Sequence, residues 1–342
     1  MRGQGEVVSV KATGFESAYR AKAVPAPKAP AGSREATVPS EEETEDVKSA
    51  EKDQPRCFGR YRVLEELGHG GQGIVFKAHD TVLERDVALK VLHAPFQNDS
   101  KMSALFRHEA LTAARLNHPH IIPIFDFGME QGCAFLTMPL IEGPSLDRVI
   151  SAGLPLGFCL RVLVQAGEAL SYAHEKHVIH LDLKPGNILL RYGPPGGPGK
   201  ATLRDPGVLV TDFTMAQMVV PDSGRSARKG SRTRFGGTLR YAAPEQIAGE
   251  RALVGPATDF YSLGVVFYEM LTGRPLIDFK DPSATQLLML QGNVAPPSSR
   301  RAGLPPEVDT LCLELLHHNP KERIQNGQAL VERALPLLGT LG

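Results

Sequence analysis

His180-Leu181-Asp182-Leu183-Lys184-Pro185-Gly186-Asn187 is the most specific stretch of this chain. Its three polar groups have separable jobs. A carboxylate at 182 can accept or orient the proton of an attacking hydroxyl, and an ammonium at 184 can neutralise a transferring anionic group. An amide at 187 can hold a metal ion. Downstream, Asp212-Phe213-Thr214 follows the short apolar run Val208-Leu209-Val210, which puts a second oxygen ligand at the end of a strand. Upstream stand Gly68-His69-Gly70-Gly71-Gln72-Gly73-Ile74-Val75 and Val87-Ala88-Leu89-Lys90, and Ala243-Pro244-Glu245 closes the series. One such string is weak evidence, but five in this order describe parts of a single device.

The context of the glycines decides their meaning. Tyr61 to Leu67 leads in as a strand and Gly73 to Ala78 leads out as another. A dinucleotide fold needs a helix after the loop, so this loop reads as a flap whose N–H groups approach phosphates without a Cβ in the way. Lys90 lies in the alternating run Asp86 to Leu92, where an ammonium among apolar neighbours needs an anion. Glu109 offers one. It shares a helical face with Leu105, Ala113 and Leu116 in a segment running from Ser103 to Leu116 that His118-Pro119 ends.

Residues 1–57 mix Ala, Pro, Lys and Ser and then give an acidic run from Glu41 to Asp46, the composition of a disordered tail. From 58 to 138 the chain favours strands with one helix, including strands at Ile121 to Phe127 and Cys133 to Met138. A connector covers 139–144, and 145–336 reads as mainly helical, with Leu160 to His174 its first long helix; 337–342 is a short tail. Pro194 to Gly199 forms the tip of a hairpin between Ile188 to Arg191 and Val208 to Val210. The 38 basic and 38 acidic side chains cancel, so no global field draws the chain to nucleic acid or an anionic membrane. No run approaches the roughly 20 apolar residues of a membrane span. The buried helix Tyr261 to Leu271 comes nearest, but it contains Glu269. Cys57, Cys133, Cys159 and Cys312 have no paired spacing, which points to a reducing cytoplasm.

Over about residues 61–336 these motifs resemble the eukaryotic-type serine/threonine protein kinases, in their bacterial wording Tyr241-Ala242-Ala243-Pro244-Glu245-Gln246. The resemblance implies an α+β, bilobal protein-kinase fold, with a small antiparallel-sheet N-lobe carrying one main helix and a larger, mainly helical C-lobe. It implies a cleft for ATP lined by Leu67, Gly68, His69, Gly70, Gly71, Gln72, Gly73, Ile74, Val75, Ala88, Lys90, Met138, Pro139 and Ile141. Lys90, paired with Glu109, would contact the phosphates. Asp182 and Lys184 would be catalytic, and Asn187 and Asp212 would hold Mg²⁺ (Mn²⁺ as a substitute). Glu245 would pair with Arg323, and Asp259 would brace the catalytic loop or simply cap its own helix.

Two positions depart from the family. Leu181 stands where an arginine usually receives an activation-loop phosphate, and Thr214 replaces the glycine after Asp212-Phe213, restricting the backbone there. Neither removes a phosphate, metal or proton contact. The expected enzyme transfers the γ-phosphate of Mg-ATP to Ser or Thr hydroxyls of protein substrates, with autophosphorylation at Ser226, Ser231 or Thr233 and unusual regulation. The segment between Asp212 and Glu245 is basic, which suits acidic substrates or plain solvation. Two alternatives stay open: an inactive kinase-like scaffold, and a small-molecule phosphotransferase. No oligomeric state is implied.

Overall fold

The computed structural model describes residues 57–69, 73–92, 110–130, 133–191, 207–213, 217–218, 239–276 and 294–339. The tail through residue 56, Gly70 to Gln72, Ser103 to Glu109, the Pro194 to Gly199 tip, Thr214, and Ser226, Ser231 and Thr233 lie outside the described residues. The first sheet is antiparallel, in the order β1-β2-β3-β4-β6-β5. Its strands are β1 (Cys57–Phe58), β2 (Tyr61–His69), β3 (Gly73–Asp80), β4 (Arg85–Leu92), β5 (Asp126–Glu130) and β6 (Cys133–Pro139).

Side-chain alternation along β4 splits the small lobe into two apolar layers. Val87 and Leu89 join Tyr61, Ala78 and Phe135 on one face. Ala88 and Leu92 join Leu136 and Met138 on the other. Lys90 shares the parity of Ala88, and the register pairs Ala88 with Met138 and Lys90 with Leu136. The lysine therefore points to the face that meets the helical lobe. Gly73 has to be a glycine, because a Cβ there would sit 2.2 Å from the carbonyl oxygen of Val91.

The expected strand at 121–127 is displaced to β5, beginning at Asp126. Pro123 has no N–H for a ladder, and the residues before it bond elsewhere. The Ile122 N–H donates to Val210 O (3.0 Å), the Val210 N–H donates to His120 O (2.8 Å), and Ile121 bridges Val210.

The larger lobe is built from α1 (Leu156–Glu175), α2 (Pro244–Ala248), α3 (Pro256–Thr272), α4 (Pro306–Leu315) and α5 (Gly327–Gly339). Each of α2, α3 and α4 begins on a proline, which lacks the N–H that the first turn could not use anyway. Every residue of α3 from Ala257 to Leu271 is buried. Each fully buried large apolar side chain there contributes roughly 1.5–3 kcal/mol. Short strands lie on the cleft side of this lobe. β7 (Val178–Ile179) pairs with β10 (Gln217–Met218), and β8 (Ile188–Leu190) pairs with β9 (Val208–Val210) in the expected hairpin. No helix among the described residues is long and apolar enough to cross a membrane.

Candidate active site

A cleft of about 560 Å³ opens between the sheet and the helical lobe. Among the expected residues it is lined by Leu67, Gly68, His69, Gly73, Val75, Ala88, Lys90, Met138, Pro139 and Ile141, together with Asp182, Lys184, Asn187 and Asp212. Ile74 is the exception. It does not line the cleft, because alternation along β3 turns it away when Gly73 and Val75 face inward. Gly70, Gly71, Gln72 and Glu109 lie outside the described residues.

The catalytic loop follows β7 and is fixed through its backbone. Asp259, on the first turns of α3, accepts hydrogen bonds from the N–H groups of His180 and Leu181, each at 2.8 Å. The His174 ring donates to the same carboxylate at 2.8 Å. Asp259 is wholly buried, so these three donors satisfy a charge that burial would otherwise penalise. It is a brace and not a cap: Gly255 holds the N-cap position of α3. Leu181 adopts a left-handed backbone with φ +63°. A residue with a Cβ costs about 1–2 kcal/mol there, so the conformation persists only because neighbours impose it.

His180 is buried beneath this loop. Its Nε2 lies 2.9 Å from Thr211 O, which can only accept, and its Nδ1 accepts from the Asp182 N–H at 3.2 Å. The two bonds put the ring proton on Nε2. Phe213 packs against the same ring in a tilted arrangement, 4.7 Å between centroids at 59°, which holds the segment after β9 against the catalytic loop.

The loop's polar side chains then converge. Lys184 Nζ donates to Asp182 Oδ2 at 2.6 Å, and Asn187 Nδ2 donates to the backbone oxygen of Asp182 at 2.8 Å. The side chain of Asp212, whose own backbone is left-handed at φ +69°, pairs with Lys90 across the lobes. Both members of that pair are mostly buried, with 9% and 16% of their side chains exposed. Lys90 can thus hand its charge to a phosphate while Asp212 turns to a cation.

The donor set fits a hard divalent ion. Asp212 supplies a carboxylate, and Asn187, having spent its nitrogen on Asp182, keeps an amide oxygen. Among the described residues no three His, Cys, Asp or Glu side chains form a self-sufficient cage. Magnesium suits such a site, since it commonly takes one or two protein oxygens and completes its shell with phosphate and water.

Several lining residues escaped sequence reading. Leu189 is the partly exposed middle residue of β8, and it packs against the layer that holds Ala88 and Met138. Strand alternation after Asn187 marks it as facing the cleft. Thr211 lines the floor and donates to the Met138 sulfur at 3.8 Å. Gln246, outside the cleft, donates to Leu181 O at 3.1 Å. The partnership expected of Glu245 is present: Arg323 grips it through two bonds of 2.7 and 2.8 Å.

Residues 61–333 match the protein kinase domain family. The chain is 34% identical over 272 residues to the serine/threonine-protein kinase PknB of Mycolicibacterium smegmatis, covering 78% of this chain and 41% of that relative. It is 31% identical over 277 residues to the serine/threonine-protein kinase PrkC of Bacillus subtilis, covering 80% and 40%. The chain thus spans about two-fifths of the length of these relatives. Among solved structures, a double mutant of the Mycobacterium tuberculosis PknI kinase domain superposes with a TM-score of 0.62 at 26% identity, covering 82% of this chain and 98% of that one. A single mutant of the same domain gives 0.61 at 24% identity, a likeness of fold.

Proposed function

Since this chain belongs to the protein kinase domain family, we propose that it is a serine/threonine protein kinase that transfers the γ-phosphate of ATP to hydroxyls of protein substrates, with Mg²⁺ as the metal ion. The observation that carries this reading is the convergence of Lys90, Asp182, Lys184, Asn187 and Asp212 on one cleft roofed by the glycine strand pair. Asn187 and Asp212 would hold the metal ion, which when bound would supply charge neutralisation for the phosphates. Lys90 binds phosphate oxygens. Asp182 takes the acceptor hydroxyl's proton as its oxygen bonds to the γ-phosphorus, the bond to the bridging oxygen breaks and ADP leaves. Lys184, anchored on Asp182, stabilises charge on the transferring group. Positioning and electrostatics carry most of this chemistry.

The cytoplasm is the proposed location. Autophosphorylation is expected in the basic segment before Glu245, and Leu181 makes its effect small, because leucine cannot hydrogen-bond a phosphate. The test is incubation of purified chain with labelled ATP, Mg²⁺ and acidic and basic protein acceptors, followed by phosphoamino-acid analysis, beside an Asp182→Asn control. Label on Ser or Thr that the control lacks supports the reading. No label above the control on any acceptor, or on the chain itself, would leave the inactive scaffold or a small-molecule phosphotransferase, which a panel of metabolite acceptors separates.

A further inference from the structure

The left-handed Leu181 is gripped from both sides. Its N–H donates to Asp259 Oδ1 at 2.8 Å, and its C=O accepts from Gln246 Nε2 at 3.1 Å. That carbonyl belongs to the same peptide group as the N–H of Asp182, so whatever orients it orients the backbone from which the Asp182 side chain springs. Gln246 is well placed to do so. It is buried, at 3% exposure, and its Oε1 accepts from the Ala243 N–H at 2.8 Å, so the amide cannot turn over. The adjacent Glu245 is clamped by Arg323. A continuous path of bonds therefore runs from Arg323 through α2 to the 181–182 peptide.

We propose that Gln246 is a positioning residue for Asp182, so that folding of the Ala243–Ala248 turn onto the catalytic loop, and not a phosphate held by the side chain at 181, brings the carboxylate into register. Leu181 makes this device necessary. A leucine cannot anchor the activation segment through its side chain, and its strained backbone needs an external acceptor and an external donor. The inference rests on the kinase reading above and assigns its regulation: the enzyme is organised by α2 docking.

The test compares the wild-type chain with Gln246→Met and Gln246→Glu under the same labelled-ATP assay. Methionine keeps the volume and loses both bonds. Glutamate keeps an oxygen for the Ala243 N–H but, when ionised, has no donor for Leu181 O; when protonated it regains one. Burial raises the pKa of such a carboxyl, so the donor returns as pH falls. We expect kcat to drop about tenfold in Gln246→Met, in line with loss of the bond to Leu181 O and a slightly displaced carboxylate, with the KM for ATP within twofold of wild type. For Gln246→Glu, the ratio of its kcat to that of wild type should rise severalfold between pH 8 and pH 6. A residue that only capped α2 would show no such rise, because both forms of glutamate keep the cap. A flat ratio overturns the proposal, and so does wild-type kcat in Gln246→Met. Should the methionine variant fail to fold, the glutamate series decides alone. An inactive wild-type chain would instead sink the kinase reading itself, which keeps the two failures apart.

Discussion

Replacing Arg323 by methionine should destabilise the helical lobe more than any surface change. The guanidinium and the Glu245 carboxylate are 0% and 1% exposed and meet at 2.7 Å. Arg323 also donates to the carbonyls of His317 (2.6 Å), His318 (2.9 Å) and Ala257 (3.2 Å), and its guanidinium lies 4.8 Å from the Tyr261 ring centroid. Methionine strands three acceptors and a buried carboxylate whose remaining side-chain donor is Thr258 Oγ1 at 2.8 Å. Removing one partner of a buried pair costs about 3–5 kcal/mol, and the stranded carbonyls favour the upper half of that range. At roughly 2–4 °C per kcal/mol for a domain of this size, the melting temperature should fall about 10–15 °C. Differential scanning calorimetry reads this directly. A double variant, Arg323→Met with Glu245→Leu, removes the orphaned charge and should lose clearly less than the sum of the two single variants. A drop below 3 °C for Arg323→Met, or strict additivity, would refute the reasoning.

Three further outcomes follow from the same geometry. Asp259→Asn sets an NH₂ against one of the three donors now held by the carboxylate; kcat should fall about ten- to a hundredfold, measured in the labelled-ATP assay, and a change under twofold would remove the bracing role. Alanine at Ser226, Ser231 and Thr233 together should alter activity less than threefold, and near-total loss would show that Leu181 does not blunt phosphate control. Asp80 titrates with the fold: burial works to raise its carboxyl, but the Leu83 and Val82 N–H groups and the Arg60 and Arg85 guanidiniums hold it below its ordinary value. The unfolded chain therefore takes up the proton first, so stability present above about pH 4 is lost as pH falls through the lower folded value. In urea titrations at pH 3 to 5, Asp80→Asn should flatten that decline, and an unchanged slope would count against it.

The fold was legible wherever strand parity and punctuation were strong. Lys90 was placed by the alternation Val87, Ala88, Leu89, and the β8–β9 hairpin by its glycine–proline tip. Ile74 entered the expected lining with the whole glycine-loop stretch that the family resemblance implies, whereas strand parity sets it one position out of phase with Gly73 and Val75, which line the cleft. The strand drawn at 121–127 failed for a different reason. Ile121 and Ile122 have strand composition, but their backbone is claimed by Val210, far away in sequence, and no local pattern records that. Among the site residues, polar and charged side chains with one evident duty were legible, namely Asp182, Lys184, Asn187 and Asp212. Gln246 was missed because its significance lies in a carbonyl it meets sixty-five positions back in the chain. A hydrogen bond to the main chain leaves no trace in side-chain chemistry.

The backbone stitch between His120–Ile122 and Val210 has a mechanical consequence. It rivets the chain just beyond helical residues 110–113 onto β9, two residues before Asp212. A rotation of the sheet against the helical lobe that kept these bonds would carry the lip at Gly68 and Gly73 through a wider arc than Asp212, which stands two residues from the stitch.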